Sequence, residues 1–416
     1  MRWDGLRLDV GMDTGDRGQD GGQGETTPLF ARSAVTRTFD TPEFRGVTFY
    51  EIHARSIINR VPSASRVPFE WTINPYRGCT HACTYCFARR THEYLDLDSG
   101  RDFDSKIVVK VNAPDLVRRE LAAPRWGGHP IAMGTNVDCY QRAEGRYRLM
   151  PGILAALRDA RNPFSILTKG SLILRDLDLL AEAAEVTDVS TAVSVGFTDE
   201  SLWRAVEPGT PSPRKRLEVC ATLNEHGIPC GVLMAPILPY LCDSPRALES
   251  TVRRIAETGA THVTPIVLHL RPGAREWFMA WLSREHPRLV PRYLELYGRG
   301  AYAPKAYQER INQAVRTLAR EHGIGRSAPR GGEAAGARGD RAAGARGARA
   351  GQRPGERLLP PARTGRDART AHAPLGGRLP PAGFPCTRPR EPPHVAYPDR
   401  PGRPGPVRCR RPMRAW

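Results

Sequence analysis

Cys79, Cys83 and Cys86 fall within eight residues at the spacing Cys-x3-Cys-x2-Cys, while Cys139, Cys220, Cys230, Cys242, Cys386 and Cys409 stand apart. Thiolates set this closely are a metal-binding group, and their number limits which metal. A structural zinc site closes a tetrahedron with four protein ligands. A ferredoxin-type cluster also takes four thiolates, usually from a Cys-x2-Cys-x2-Cys-x3-Cys run. Neither pattern is present. Three thiolates on a cubane leave one iron without a protein ligand, free to take a small molecule. A zinc knuckle remains as the alternative, with His81 or His92 as fourth ligand, although His81 lies inside the loop between Cys79 and Cys83, an awkward place from which to complete a tetrahedron.

Such a loop needs a rigid support, and the flanking sequence supplies one. Phe69 to Ile73 alternates apolar and polar residues and reads as the strand that delivers the cysteines. Strand and helix signals then alternate. Ile107–Val111, Pro130–Gly134, Phe164–Leu167, Val189–Phe197, Gly231–Met234 and His262–Leu268 read as strands. Amphipathic helical segments fall between them, after Asn112, around Ile153–Leu157 and over Leu172–Ala184. Ser212-Pro213 and Ser244-Pro245 each set a capping hydroxyl before a first-turn proline, and Gly227 and Gly259 stand where a left-handed C-terminal residue belongs. From Ala274 to His322 the pattern is helical. Six or seven β/α units between Trp71 and Leu270 imply a parallel sheet with right-handed crossovers. A partial barrel is the expected form, with the cysteine loop at its C-terminal mouth, where such folds carry chemistry. An open doubly wound sheet is the alternative, and no dinucleotide glycine fingerprint accompanies it.

Charge and composition bound the rest. Of the formal charge of +18, the 91 residues from Arg326 contribute +14, from 20 Arg and no Lys against 6 acids, so residues 1–325 are only mildly basic. That last stretch holds 14 Gly and 16 Pro and loses all periodicity, which predicts a disordered Arg/Gly/Pro-rich tail, either a nucleic-acid tether or a solvated extension. Residues 1–45 read as a flexible leader, 46–270 as the core barrel and 271–325 as a C-terminal helical extension. An odd cysteine count with one tight cluster argues for a reducing compartment. No run has the length of a signal peptide core or a membrane span, so a soluble, cytoplasmic protein with no membrane partner is expected.

Cys79-x3-Cys83-x2-Cys86, with Tyr85 before the last cysteine, resembles the cluster motif of the radical S-adenosylmethionine (radical SAM) superfamily. The wider pattern from about Val47 to Gly323 resembles a subgroup related to spore photoproduct lyase. It is carried by Asn74-Pro75-Tyr76-Arg77-Gly78-Cys79, Tyr85-Cys86-Phe87-Ala88-Arg89, Met133-Gly134-Thr135-Asn136-Val137-Asp138, Glu207-Pro208-Gly209-Thr210-Pro211 and Arg216-Leu217. The resemblance implies a radical SAM type partial (β/α)6 TIM-like barrel. It implies a [4Fe–4S] cluster held by Cys79, Cys83 and Cys86, with S-adenosyl-L-methionine on the open iron. Reductive cleavage of the sulfonium would then give a 5′-deoxyadenosyl radical that acts on a substrate the motif does not name, the electron coming from a flavodoxin- or ferredoxin-type reductant. By the same resemblance Gly134, Thr135 and Asp138 lie toward the methionyl amino group, Thr168 and Lys169 toward other polar groups of the cofactor, Ser194 toward its ribose, and Tyr85 toward adenine.

Each of these positions also has a purely structural reading: Asp138 and Glu144 as loop caps, Lys169 as a surface lysine, Tyr85 as packing. Relatives commonly carry proline where Cys139 stands. Cys139 is the one candidate for a hydrogen-returning thiol, weighed against a small buried core residue. Three functional classes follow: a nucleic-acid lyase or modifying enzyme, for which Arg77, Arg89, Arg90 and Arg142 are candidate rim cations; a peptide- or metabolite-modifying enzyme; and a non-catalytic iron–sulfur or zinc module.

Overall fold

The computed structural model describes residues 34–325 other than 63, 64 and 66. Eleven strands occur among them: β1 (Val35–Thr38), β2 (Thr48–Ile52), β3 (Ile58–Arg60), β4 (Trp71–Ile73), β5 (Tyr76–Arg77), β6 (Lys106–Lys110), β7 (Ile131–Met133), β8 (Phe164–Thr168), β9 (Val189–Ser194), β10 (Cys230–Ile237) and β11 (Val263–Val267). They form two sheets. The larger runs β11-β10-β9-β8-β7-β4-β3, and its six strands from β4 to β11 are parallel and ordered as in the chain, with β3 antiparallel at one edge.

Each step from one parallel strand to the next passes through helix. Ala113–Leu121, Leu149–Asp159, Leu177–Val186, Pro213–Glu225 and Pro245–Ala256 are the principal crossovers. This is the six-unit β/α architecture expected of the partial barrel. Because the six strands are parallel, Ile73, Met133, Thr168, Ser194, Ile237 and Val267 all end on one edge, and the loops that follow them are where a site can be assembled.

The element signals worked where capping chemistry was explicit. The Ser212 and Ser244 hydroxyls accept hydrogen bonds from the Lys215 and Ala247 amides, and Gly227 and Gly259 take φ of +74° and +66°. Elsewhere the structure departs from the sequence reading. The β-branched segment near Ile107 is a strand, Lys106–Lys110, but it pairs with β2 and β5 in a separate four-stranded sheet, β1-β2-β6-β5. The strand ending at Met133 is therefore the second of the parallel set and not the third. The helix expected over Leu172–Ala184 begins as a tight 3-10 turn, Ser171–Asp176, before Leu177–Val186. Structure also begins inside the expected leader: β1 pairs with β2, and Phe44 is buried against Phe49. Residues 1–33 of that leader and the tail from residue 326 lie outside the described residues.

The helical extension is docked on the last β/α unit. The helix Lys305–Glu321 packs on Pro245–Ala256 and β11. The Tyr293 and Tyr297 hydroxyls donate to the carbonyls of Pro239 (2.7 Å) and Leu268 (2.8 Å), just beyond the ends of β10 and β11.

Candidate active site

The cysteine loop follows β4 by way of the short β5, which pairs with β6 in the smaller sheet, and it is held from four directions. From below, the Gln141 side chain accepts from the Thr80 amide (2.9 Å) and donates to the Gly78 carbonyl (3.0 Å). From one side, the fully buried Arg89 donates to the Cys83 carbonyl through Nε and Nη2, to the Gly100 carbonyl and to Asp104. Its guanidinium lies over the rings of Phe103 and Trp277, the latter from the helical extension. From the other side comes the turn after the helix Glu200–Val206. The Thr84 amide donates to the Val206 carbonyl and the Gly209 amide to the His81 carbonyl. A Cβ at Gly209 would sit 2.2 Å from the Thr80 carbonyl oxygen, so only glycine permits this approach. Finally, His92 bonds the Lys106 carbonyl through Nε2 beneath Gly78.

All seven cysteines among the described residues are free, and Cys79 and Cys83 are buried while Cys86 is half-buried. Burial pushes the Cys79 thiol well above its usual range, and the charge of Asp138 adds to this. Burial raises Cys83 too, opposed by the cations of Lys169 and Arg216, and it raises Cys86 against Arg89 and Lys169. The three thiols therefore share one buried neighbourhood, in which burial outweighs the nearby cations and favours the neutral thiols. No cluster of three or more His, Cys, Asp or Glu side chains among the described residues is drawn together into ready metal-binding geometry. Of the two histidines weighed as zinc ligands, His81 pairs through Nδ1 with Asp138 (3.4 Å) and His92 bonds the Lys106 carbonyl through Nε2 (2.9 Å), and neither is drawn together with the thiols in metal-binding geometry. A donor set of three thiols without a protein fourth ligand fits an iron–sulfur cluster with one open iron better than a closed zinc site.

Facing the loop is a continuous polar network along the strand ends. Asp138 Oδ1 accepts from the Tyr140 amide (2.9 Å) and the Thr168 hydroxyl (2.7 Å), and Oδ2 from the Lys169 amide (2.6 Å). Burial works to raise its pKa, but the His81 charge and these hydrogen bonds overcome it and hold Asp138 at about 2. Lys169 Nζ donates to the Ser194 hydroxyl (2.7 Å), which in turn donates to the Ala235 carbonyl (2.9 Å), and the same ammonium lies 5.8 Å from the Tyr85 ring centroid. Tyr85 donates its hydroxyl to Glu207, Glu207 accepts from Arg216, and Arg216 reaches the Ser194 carbonyl (2.6 Å). Gly134, at φ +73°, begins the loop after β7; a Cβ there would fall 1.8 Å from the Leu167 carbonyl oxygen.

Thus Tyr85, Asp138, Thr168, Lys169 and Ser194 are joined in one network, with Gly134 and Thr135 at the adjoining strand end. Cys139 differs: it is fully buried in the core, and burial, then Asp138 and Glu144, push its thiol well above the usual range. Glu144 accepts from Tyr76, Arg175 and the amides of Leu149 and Met150, which makes it the anchor of the helix Leu149–Asp159. Of the candidate rim cations, Arg89 is wholly buried and Arg77 partly so, while Arg90 and Arg142 are exposed. The sequence reading missed Gln141, His81 as the partner of Asp138, and the buried Glu207–Arg216 pair. The last two belonged to a quoted signature, but nothing local indicated that they reach the cysteine loop.

The radical SAM superfamily profile matches residues 73–254. An uncharacterized protein of Mycobacterium tuberculosis (strain H37Rv) is 50% identical over 311 residues, covering 74% of this chain and 92% of its own length. An uncharacterized protein of Methanocaldococcus jannaschii is 27% identical over 278 residues, covering 65% and 93%. Among solved structures, spore photoproduct lyase complexed with dinucleoside spore photoproduct superposes with a TM-score of 0.50 at 16% identity, over 67% of this chain and 80% of that one. That last likeness is one of fold.

Proposed function

Because the chain belongs to the radical SAM superfamily, we propose that Cys79, Cys83 and Cys86 hold a [4Fe–4S] cluster on which S-adenosyl-L-methionine is bound through the open iron. When bound and reduced by one electron, that pair supplies a 5′-deoxyadenosyl radical for hydrogen abstraction from substrate. The observation that carries the reading is the buried three-thiol loop facing the Asp138–Lys169–Ser194 network across the parallel strand ends. The residues of the chain have separable tasks. Arg89, Gln141 and the Glu207–Thr210 turn fix the loop. Asp138, ionised at any ordinary pH, gives the methionyl ammonium a fixed opposite charge while its oxygens order the ends of β7 and β8. Lys169 and Ser194 offer a cation and a hydroxyl for carboxylate and ribose, and Tyr85 an aromatic face for adenine. Gly134 and Thr135 leave backbone accessible beside them.

A flavodoxin- or ferredoxin-type protein is the proposed reductant, and a reducing, cytoplasmic setting suits the free thiols. No helix among the described residues is long and apolar enough to cross a membrane. The fold likeness to spore photoproduct lyase does not carry its substrate to this chain, so the radical chemistry is proposed without a named acceptor.

Anaerobic reconstitution tests the reading. The protein is expected to take up about four irons and, with dithionite and S-adenosylmethionine, to release 5′-deoxyadenosine. Cys83→Ala should lose the charge-transfer absorbance of the cluster and the cleavage together. Stoichiometric zinc, or a fully loaded cluster that leaves S-adenosylmethionine intact, would overturn it.

A further inference from the structure

Beside the Asp138 network, at the same strand-end loops, lies a concavity that none of the proposed cofactor residues lines. It has a volume of about 720 Å³, and His81, Arg142, Arg146, Lys215, Phe44 and Glu43 are among its walls. This falls in the range of small-molecule sites, about 300–1,000 Å³. Its charge is one-sided: two arginines and a lysine against the single carboxylate of Glu43. Neither Arg142 nor Lys215 has an acidic partner among the described residues. Arg146 lies over the Phe39 ring at 4.5 Å and likewise has no acidic partner among the described residues.

Two independent features point to a ligand there. The first is the helix Pro213–Glu225, which starts at this cleft. Its first turn reads Pro213-Arg214-Lys215-Arg216 and contains no acid. Helix N-termini carry partial positive charge and favour carboxylates, so three cations there work against the dipole. Arg216 is relieved by Glu207 and Arg214 by Glu218 (2.9 Å), but Lys215 is left facing the cleft. The second is His81, only 3% exposed, which reaches the same cleft. Its Nδ1 is taken by Asp138, and its Nε2 has no protein partner among the described residues. A buried imidazole edge and three cations without an acidic partner converge on one space.

We propose that this cleft binds the phosphate group of a nucleotide-sized ligand, held by Arg142, Arg146 and Lys215 at the start of the Pro213 helix, with His81 as the inner contact. Phosphate suits the site because it spreads its charge over several oxygens and accepts from guanidinium, ammonium and imidazole at once. The three cations of the site, Arg142, Arg146 and Lys215, are assigned to neither cluster nor cofactor, so phosphate binding can be tested apart from the radical reading. The cleft does share a wall with that machinery through the His81–Asp138 contact and through Gly170, which follows Lys169.

The test uses the full chain with its cluster reconstituted, at low ionic strength where such contacts are least screened. Inorganic phosphate is titrated calorimetrically against wild type, R142E/K215E, and R204E/R284E, which makes the same charge change on exposed residues outside the cleft. The cleft variant should lose at least ~tenfold in affinity, while the control changes less than ~twofold. K215M serves as a milder variant if R142E/K215E has a lowered melting temperature, and it should still lose several-fold. Uridine 5′-monophosphate and a single-stranded oligonucleotide then compete for the site. Displacement by the mononucleotide alone assigns a small ligand, and displacement by the oligonucleotide assigns a nucleic-acid phosphate. No phosphate binding by wild type, or equal binding by R142E/K215E and control, overturns the proposal whether or not S-adenosylmethionine is cleaved.

Discussion

Glu207→Gln is the sharpest test of how the cysteine loop is held. Glu207 and Arg216 are 0% and 1% exposed, and their contact is a charge pair that also engages the Tyr85 hydroxyl and the Ser194 carbonyl. Removing one member of such a pair leaves an uncompensated buried charge, at about 3–5 kcal/mol for outright loss of the partner. Glutamine keeps an acceptor for Arg216 but not its charge, so about 3 kcal/mol is expected. The exposed pair Arg204–Glu200, at 66% and 53%, has nearly ideal geometry at 2.8 Å, yet its loss should cost no more than ~1 kcal/mol because water screens it. Glu207→Gln/Arg216→Met removes both charges together and should recover most of the single-mutant loss. Urea unfolding of wild type, the singles, the double and Glu200→Gln gives the cycle directly. The pH dependence has a definite sign. Burial would raise the Glu207 pKa, but Arg216, Lys169 and the Tyr85 hydroxyl hold it below its ordinary 4.5. Its contribution is therefore complete above about 4.5 and lost as pH falls through the lower folded value, a loss absent from Glu207→Gln. If Glu207→Gln costs no more than Glu200→Gln, or if the double mutant costs as much as the two singles added, the pair does not hold the loop in the way argued.

The remaining predictions concern other parts of the same framework. Gly134→Ala should destabilise by at least ~3 kcal/mol, because it combines a left-handed backbone with a backbone clash at Leu167, and urea unfolding reads it. Lys110 is buried at the end of β6, and burial, with Arg77 adding to it, lowers its pKa from 10.5 to about 7. The folded state thus binds fewer protons than the unfolded between pH 7 and 10.5, and wild-type stability should rise across that window. Lys110→Met should gain about 1–3 kcal/mol at pH 6 and lose that advantage by pH 10; a pH-independent difference would refute the assignment. Asp138→Asn replaces an acceptor by a donor opposite the Lys169 amide or His81. It should weaken S-adenosylmethionine binding at least ~tenfold with iron content unchanged, measured by equilibrium dialysis.

What the sequence made legible was everything expressed over short distances. The cysteine spacing, the two serine-proline caps and the β/α alternation each report local chemistry, and they led to the parallel core and to most of the polar network at its strand ends. Ile107–Val111 shows the limit. Its β-branched run identifies a strand correctly, but its partners Thr48–Ile52 and Tyr76–Arg77 are chosen by tertiary packing, and no local signal separates one sheet from the other. The supports of the cysteine loop fail to appear for the same reason. Gln141 lies 61 residues from the Thr80 amide that it caps, and Glu207 lies 122 residues from the Tyr85 hydroxyl. An arginine such as Arg89 looks like a surface cation in a sequence, because burial is what distinguishes it and burial is decided by Phe103, Trp277 and Asp104 together. The chemistry of the site is therefore written in one loop, but its rigidity is distributed: the thiols are local, while the groups that fix them come from the segment just after the cysteines, from the loops after β7 and β9, and from Trp277 of the C-terminal helices. A sequence can announce a cofactor from the loop alone. Whether the loop is stiff enough to use one depends on buried pairs that only the fold brings together, which is why Glu207 and Gln141 rank with the cysteines as positions to mutate first.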